Sequence, residues 1–132
     1  MGRLGKFFLL NALLISLTVL SGCVYFIVGT VGAVGGYIVS PDTVEGIAQH
    51  DNKTVFKSTL EIISIMGIIN DQNEEGGVIV ASIDSSKVTV VISPLNDAMV
   101  KLSVKARRAF FPRISLAQDV FVKIMNNINS RS

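Results

Sequence analysis

Apolar and polar positions divide the chain near residue 41. Upstream, residues 7–20 and 24–39 carry no charge, and every acidic residue lies between Asp42 and Asp119. Downstream, apolar residues recur with regular periods. Thr43 to Gln49 alternates and predicts a short first strand. Asp51 suits a helix N-cap, and Val55, Phe56, Thr59, Ile62, Ile63 and Met66 then form one stripe at helical spacing, which predicts a helix stopped by a left-handed Gly67. After that glycine the period changes from about 3.6 to 2. Ile68–Asn73, Gly77–Asp84, Lys87–Ser93 and Ala98–Arg107 read as strands, joined by the turn sequences Glu74-Glu75-Gly76, Ser85-Ser86 and Pro94-Leu95-Asn96-Asp97.

Links this short make neighbouring strands antiparallel. In the last of them Val100, Leu102, Val104 and Ala106 alternate with Met99, Lys101, Ser103 and Lys105, so one face is dry and needs a cover. A second helix supplies part of it: beyond Pro112, a residue suited to a first helical turn, Ile114, Ala117, Phe121, Ile124, Met125 and Ile128 again share a stripe. The expected fold is α+β, an antiparallel sheet of four to five strands with two helices on one face, in the order β-α-β-β-β-β-α, an order that resembles helix-grip-like domains.

The charge-free segments obey different physics. Arg3 and Lys6, then apolar residues 7–20, then Ser21-Gly22 follow the order of a secretory signal. As a helix, residues 7–20 reach only about 21 Å, short of a hydrocarbon core of about 30 Å. Cys23 is the single cysteine of the 132 residues, so no internal disulfide is available to it.

Leu20-Ser21-Gly22-Cys23, placed after this leader, resembles the lipobox of bacterial lipoprotein precursors. The resemblance implies that the Cys23 thiol takes a diacylglycerol through a thioether, that the leader is cut before Cys23, and that the new amine is acylated by a fatty acid such as palmitate. Gly22 and Ser21 leave the backbone accessible there, and Leu20 fills an apolar pocket. Several acyl chains anchor almost permanently where one myristoyl chain is marginal. Val24 follows the cysteine in place of the Asp that resembles an inner-membrane retention signal, which favours the outer membrane, facing the periplasm.

The expected organisation is a signal peptide over residues 1–22, a lipid anchor and glycine-rich apolar tether over 23–41, and a periplasmic α+β domain over 42–132. Loss of Arg3 and Lys6 with the leader brings the 12 basic side chains down to the number of acidic ones, 10, so the mature chain is formally neutral. Its charge gives no footprint for nucleic acid. Within "VYFIVGTVGAVGGYIVS", Val24 to Ser40, three arrangements are open: a tether at the lipid surface, which is the commonest; an inserted helix self-associating through Gly29, Gly32 and Gly36; and a segment docked on a partner. Pro41 marks the expected boundary.

Taken together, Cys23, the Gly32–Gly36 stretch, Met66-Gly67-Ile68, Gly77-Val78-Ile79 and a final helix after a Phe-rich loop resemble a family of small Gram-negative lipoproteins of unknown function. That family implies the architecture and brings no reaction.

Catalytic chemistry finds little footing. His50 is the only histidine, with no second imidazole or free thiol to pair with, and reads as a solvated residue at a helix start. Glu74 and Glu75 are neighbours in a turn, where nothing fixes their separation for acid–base work. Gly76-Gly77 lacks the lysine and the strand-turn-helix setting of a phosphate loop. No catalytic residue, metal ligand or cofactor motif is assigned.

The most suggestive surface feature is basic and aromatic: Lys101, Lys105, Arg107, Arg108 and Arg113 around Phe110 and Phe111. Two arrangements are open. In the commoner one a phenylalanine tucks beneath the last helix and the charges are merely solvated. In the other both rings are exposed and, with Arg107, Arg108 and Arg113, contact a membrane or an acidic partner. The expected function is a non-enzymatic envelope lipoprotein, held at the membrane by its lipid and contacting other envelope proteins. The competing expectation is a lipid- or small-ligand-binding protein that uses the open sheet face or the helix–sheet crevice.

Overall fold

The structure, a computed structural model, describes residues 2–32 and 35–130, with side chains described for 2–17 and 35–130. The chain divides between Thr30 and Val31 into two units. The first is almost wholly one helix, α1, Gly2–Gly32. From Leu4 to Leu17 its large apolar side chains are exposed. A helix apolar on every side has no stripe to commit to one neighbour. Among the described residues no helix is long and apolar enough to cross a membrane. The side chains of Leu20, Ser21, Gly22, Cys23, Gly29 and Gly32 lie outside the described residues.

The second unit runs β1 (Gly36–Ser40), β2 (Thr43–Ala48), α2 (Asn52–Met66), β3 (Ile68–Asn73), β4 (Val78–Ile83), β5 (Ser86–Pro94), β6 (Val100–Arg108), β7 (Phe111–Pro112) and α3 (Ile114–Ser130). The fold is α+β. One antiparallel sheet has the order β1-β2-β6-β5-β4-β3, and the short β7 pairs with the end of β6.

Strand alternation sorts the sheet into two faces. Val44 and Ala48 of β2, Ile79 and Ala81 of β4, Val88, Val90 and Ile92 of β5, and Val100, Leu102 and Val104 of β6 are buried. So are Val55, Phe56 and Ile63 of α2 and Phe121, Ile124 and Ile128 of α3, all from the two predicted stripes, and Val120, which the α3 stripe did not include. Both helices therefore cover one face, and the other is left open. Among the described residues every buried apolar side chain lies between Val44 and Ile128, so the second unit carries its own core.

The sheet has seven strands where four to five were expected. Residues 36–40, read as the end of the tether, form an edge strand: Gly36 faces Gly46, Tyr37 faces Glu45 and Ile38 faces Val44 across an antiparallel pair. Pro41-Asp42 is thus the turn of a hairpin and no linker. Gly36, expected as the last member of a helical glycine stripe, lies on this strand beyond the end of α1. Tyr37, Ile38 and Val39 are strand-forming residues bounded by Gly35 and a Pro-Asp turn, but in the sequence they also continue the longer charge-free run. The other addition, β7, is two residues long and places Pro112 in a strand ahead of α3.

Helix α2 begins as expected. The Asp51 carboxylate accepts from the Thr54 backbone N–H at 3.2 Å and from its hydroxyl at 2.6 Å. It ends differently. Gly67 is extended, with φ −168°, and its N–H donates to the Ile63 carbonyl at 2.9 Å. Glycine is needed here for close approach: a Cβ at this position would meet the Ser82 carbonyl oxygen.

Candidate functional site

Three turns converge at one end of the sheet. They are Pro41-Asp42 between β1 and β2, Asp84-Ser85 between β4 and β5, and Ala109-Phe110 between β6 and β7. The registers place them together, since Thr43 faces Lys105, Ile83 faces Ser86, and Lys87 faces Arg107. Asp84, Ser85 and Ala109 all take positive φ, of 50°, 58° and 55°. The adjacent pair Asp84-Ser85 gives a turn with the hand that suits a two-residue antiparallel hairpin.

Two arginines knit these turns. The Arg107 guanidinium donates to the Asp42 carboxylate at 2.8 Å and to the Phe110 carbonyl at 3.0 Å, so one side chain ties the first turn to the third. Arg113 donates to the Ser86 hydroxyl at 3.3 Å and to the Asp84 carboxylate at 3.4 Å, which ties the second turn to the start of α3. The backbone joins the same girdle: Ala106 N–H donates to the Asp42 carbonyl at 2.9 Å, and Arg113 N–H to the Ala106 carbonyl at 2.9 Å.

Asp42, only 7% exposed, is the hub. One carboxylate oxygen accepts from the Ser40 hydroxyl at 2.7 Å and the Thr43 hydroxyl at 2.8 Å, the other from Arg107, and the Lys105 ammonium stands 3.9 Å away. The hydroxyl bonds from Ser40 and Thr43, with the attraction of Lys105 and the bond from Arg107, outweigh burial and hold this carboxyl below the ordinary value of 3.8. An acid with a depressed folded-state pKa binds fewer protons folded than unfolded, so its contribution is complete above the unfolded value and vanishes as pH falls through the folded one. Asp42→Asn should therefore lower stability at neutral pH by about 1–3 kcal/mol, because Arg107 and two hydroxyls lose an ionised partner. It should also flatten the acid limb of stability below about pH 4. Urea unfolding of both proteins across that range measures this, and parallel acid limbs would remove Asp42 from the account.

The girdle holds two phenylalanines outward. Phe110 is 89% and Phe111 72% exposed, so the arrangement with a ring beneath the last helix does not occur. Arg107 and Arg113, expected as contact cations, are engaged with Asp42 and Asp84. Lys101 is not part of the cluster: it faces Ile47 and Ser93 towards the far end of the sheet. Among the described residues Arg108 and Lys87 form no ion pair.

Lys87 was not singled out from the sequence, although alternation along its strand places it on the polar face. There Lys87, Thr89, Lys105 and Arg107 line an open trough of about 250 Å³. A neighbouring depression is lined by Ser82, Ser85, Ser86, Lys87, Arg107 and Ala109. The cations and hydroxyls of this end suit an anionic group at the surface. The helix–sheet crevice, by contrast, is filled, with Phe121, Ile63 and Ile124 at 0% exposure.

His50 is half-buried beside the N-cap of α2, and Glu74 and Glu75 are exposed in the β3–β4 turn. Among the described residues no group of three or more His, Cys, Asp or Glu side chains is placed to hold a metal ion. The chain matches no family model and no curated protein.

Proposed function

We propose that this chain is an acylated lipoprotein of the bacterial cell envelope, anchored through Cys23 and presenting a small α+β module that binds envelope partners without catalysing a reaction. The observation that carries this reading is Leu20-Ser21-Gly22-Cys23 following a basic and apolar leader, upstream of a unit that carries its own core. Val24 after the cysteine favours the outer membrane, with the module in the periplasm.

Metabolic labelling with a fatty-acid probe tests it. The wild-type chain is expected to take up label and lose its leader, whereas Cys23→Ser takes up none and keeps the leader, seen as a larger intact mass. An unlabelled wild type, or label persisting in Cys23→Ser, overturns the anchor.

A second reading, binding of a lipid or small anionic ligand, is supported by the open trough at Lys87, Thr89, Lys105 and Arg107. Stoichiometric lipid retained in native mass spectrometry favours it. Co-purified envelope protein favours the first reading. Self-association through Gly29 and Gly32 of α1 is a further proposal, and it no longer includes Gly36. An unchanged crosslinking ladder in Gly32→Leu counts against it.

A further inference from the structure

Among residues 35–130, four large apolar side chains are more than 70% exposed: Phe110 at 89%, Ile65 at 75%, Phe111 at 72% and Ile68 at 71%. They come from two separate parts of the chain, residues 65–68 and 110–111, yet the topology puts them at one end of the unit. Ile68 faces Ser82 next to the β4–β5 turn, Ile65 lies in the last turn of α2 immediately before it, and Phe110 and Phe111 project from the β6–β7 turn. Scattered exposed apolar residues need no explanation, whereas four gathered at one pole call for one.

Charge is sorted along the same axis. Lys87, Lys105, Arg107, Arg108 and Arg113 lie at the pole of the phenylalanines, where Asp42 and Asp84 answer Arg107, Lys105 and Arg113. Lys87 and Arg108 are left over. At the opposite pole Glu74 and Glu75 in the β3–β4 turn, Asp97 in the β5–β6 turn and Asp51 at the start of α2 outnumber the two cations there, Lys53 and Lys101. The module is an electrical dipole whose cationic end also carries its exposed apolar side chains.

We infer that this pole is a docking surface for an anionic lipid bilayer. The rings of Phe110 and Phe111 enter the interface, and Lys87 and Arg108 lie against headgroup phosphates. The exposed rings select a bilayer over a folded acidic protein. Phe110 and Phe111 stand 89% and 72% exposed, and a fluid surface accepts such rings without a matching pocket. Cations interleaved with aromatic side chains suit the headgroup region, where the surface potential is negative. The girdle of Arg107 and Arg113 fixes the turn, so little ordering is left to be done on contact. This inference goes beyond the proposed anchor and does not depend on acylation.

The protein contains no tryptophan, so Phe111→Trp adds a single fluorescent reporter. The full chain carrying it is held in phosphatidylcholine vesicles and titrated with added vesicles of phosphatidylglycerol or of phosphatidylcholine. Phosphatidylglycerol vesicles are expected to shift the emission to the blue and, when brominated in their acyl chains, to quench it. Phosphatidylcholine vesicles should do neither. Lys87→Ala with Arg108→Ala in the same background should abolish the shift, and added salt should weaken it. Leu95→Trp, at the opposite pole, should stay unshifted, and Phe110→Trp repeats the measurement should Phe111→Trp fail to fold by circular dichroism.

Absence of a shift with either vesicle overturns the inference. So does an equal shift with phosphatidylcholine or at Leu95→Trp. A shift produced by polyglutamate in solution and not by lipid overturns it too, by assigning the surface to an acidic protein. None of these results touches the labelling of Cys23, so the anchor and the docking pole fail separately.

Discussion

Phe121→Ala is expected to cost about 3–5 kcal/mol of stability, as for other fully buried aromatic residues cut back to a methyl. Phe121 has 0% exposure and heads the fully buried side chains by volume. It lies on α3 with its ring end against Gly46 of β2, where an added Cβ would collide with the ring. The glycine and the ring form a matched pair: the small residue in the strand opens the space that the large one fills. Truncation leaves a hole that neither the sheet nor a helix pinned along its length can close. A domain of about 100 residues is held by only about 5–15 kcal/mol and loses about 4–8 °C of melting temperature per kcal/mol, so the midpoint should fall by more than about 10 °C. Thermal and urea unfolding read this directly. A loss under about 1 kcal/mol would mean that α3 does not pack as described.

Gly77→Ala is the second large effect, expected at about 2–3 kcal/mol from left-handed strain and a backbone clash together. Gly77 has φ +67°, and a Cβ there would run into the Ile92 carbonyl oxygen. Its own carbonyl accepts from Ile92 N–H at 2.7 Å, so the β3–β4 turn is fastened to β5 at this residue. Gly76 next to it is the control. Its φ is not left-handed, and the nearest atoms to an added Cβ belong to the Asn73 side-chain amide, at 3.2 Å or more. That side chain can give way at the expense of its 3.0 Å bond from the Gly76 N–H. Gly76→Ala should cost under about 1 kcal/mol. Equal losses at the two glycines would show that the turn is not held as described.

The legible parts of the fold were those governed by a single period. Of the stripe Val55, Phe56, Thr59, Ile62, Ile63 and Met66 all but Ile62 and Met66 are buried in α2, and of the stripe Ile114, Ala117, Phe121, Ile124, Met125 and Ile128 all but Ile114 in α3. The alternation of Val100, Leu102, Val104 and Ala106 names the buried face of β6. Edge strand β1 was illegible because only its Gly36 is fully buried and its apolar residues continue a longer apolar run. At Gly67 local sequence points to a left-handed stop, which a glycine after a helix suits, whereas the reason for the glycine, the Ser82 carbonyl alongside, comes from a strand 15 residues away in sequence.

The candidate site divides in the same way. Its residue types were visible in "RRAFFPRIS". Which cations were free was not. Arg107 is taken by Asp42, 65 residues distant in sequence, and Arg113 by Asp84, 29 distant. Local sequence carries no record of such pairings.

By itself the sequence determined the fold class, the two helical stripes, the order of the central strands and the expectation of a lipid on Cys23. These depend on periodicity and on short motifs, which act between neighbours in the chain. Only the tertiary structure decided that β1 completes the edge, that Phe110 and Phe111 stand in the open, and that the four most exposed apolar side chains of the module share its cationic pole. Such facts depend on which turns meet at one end of the sheet, and that is set by closing long loops around a common core.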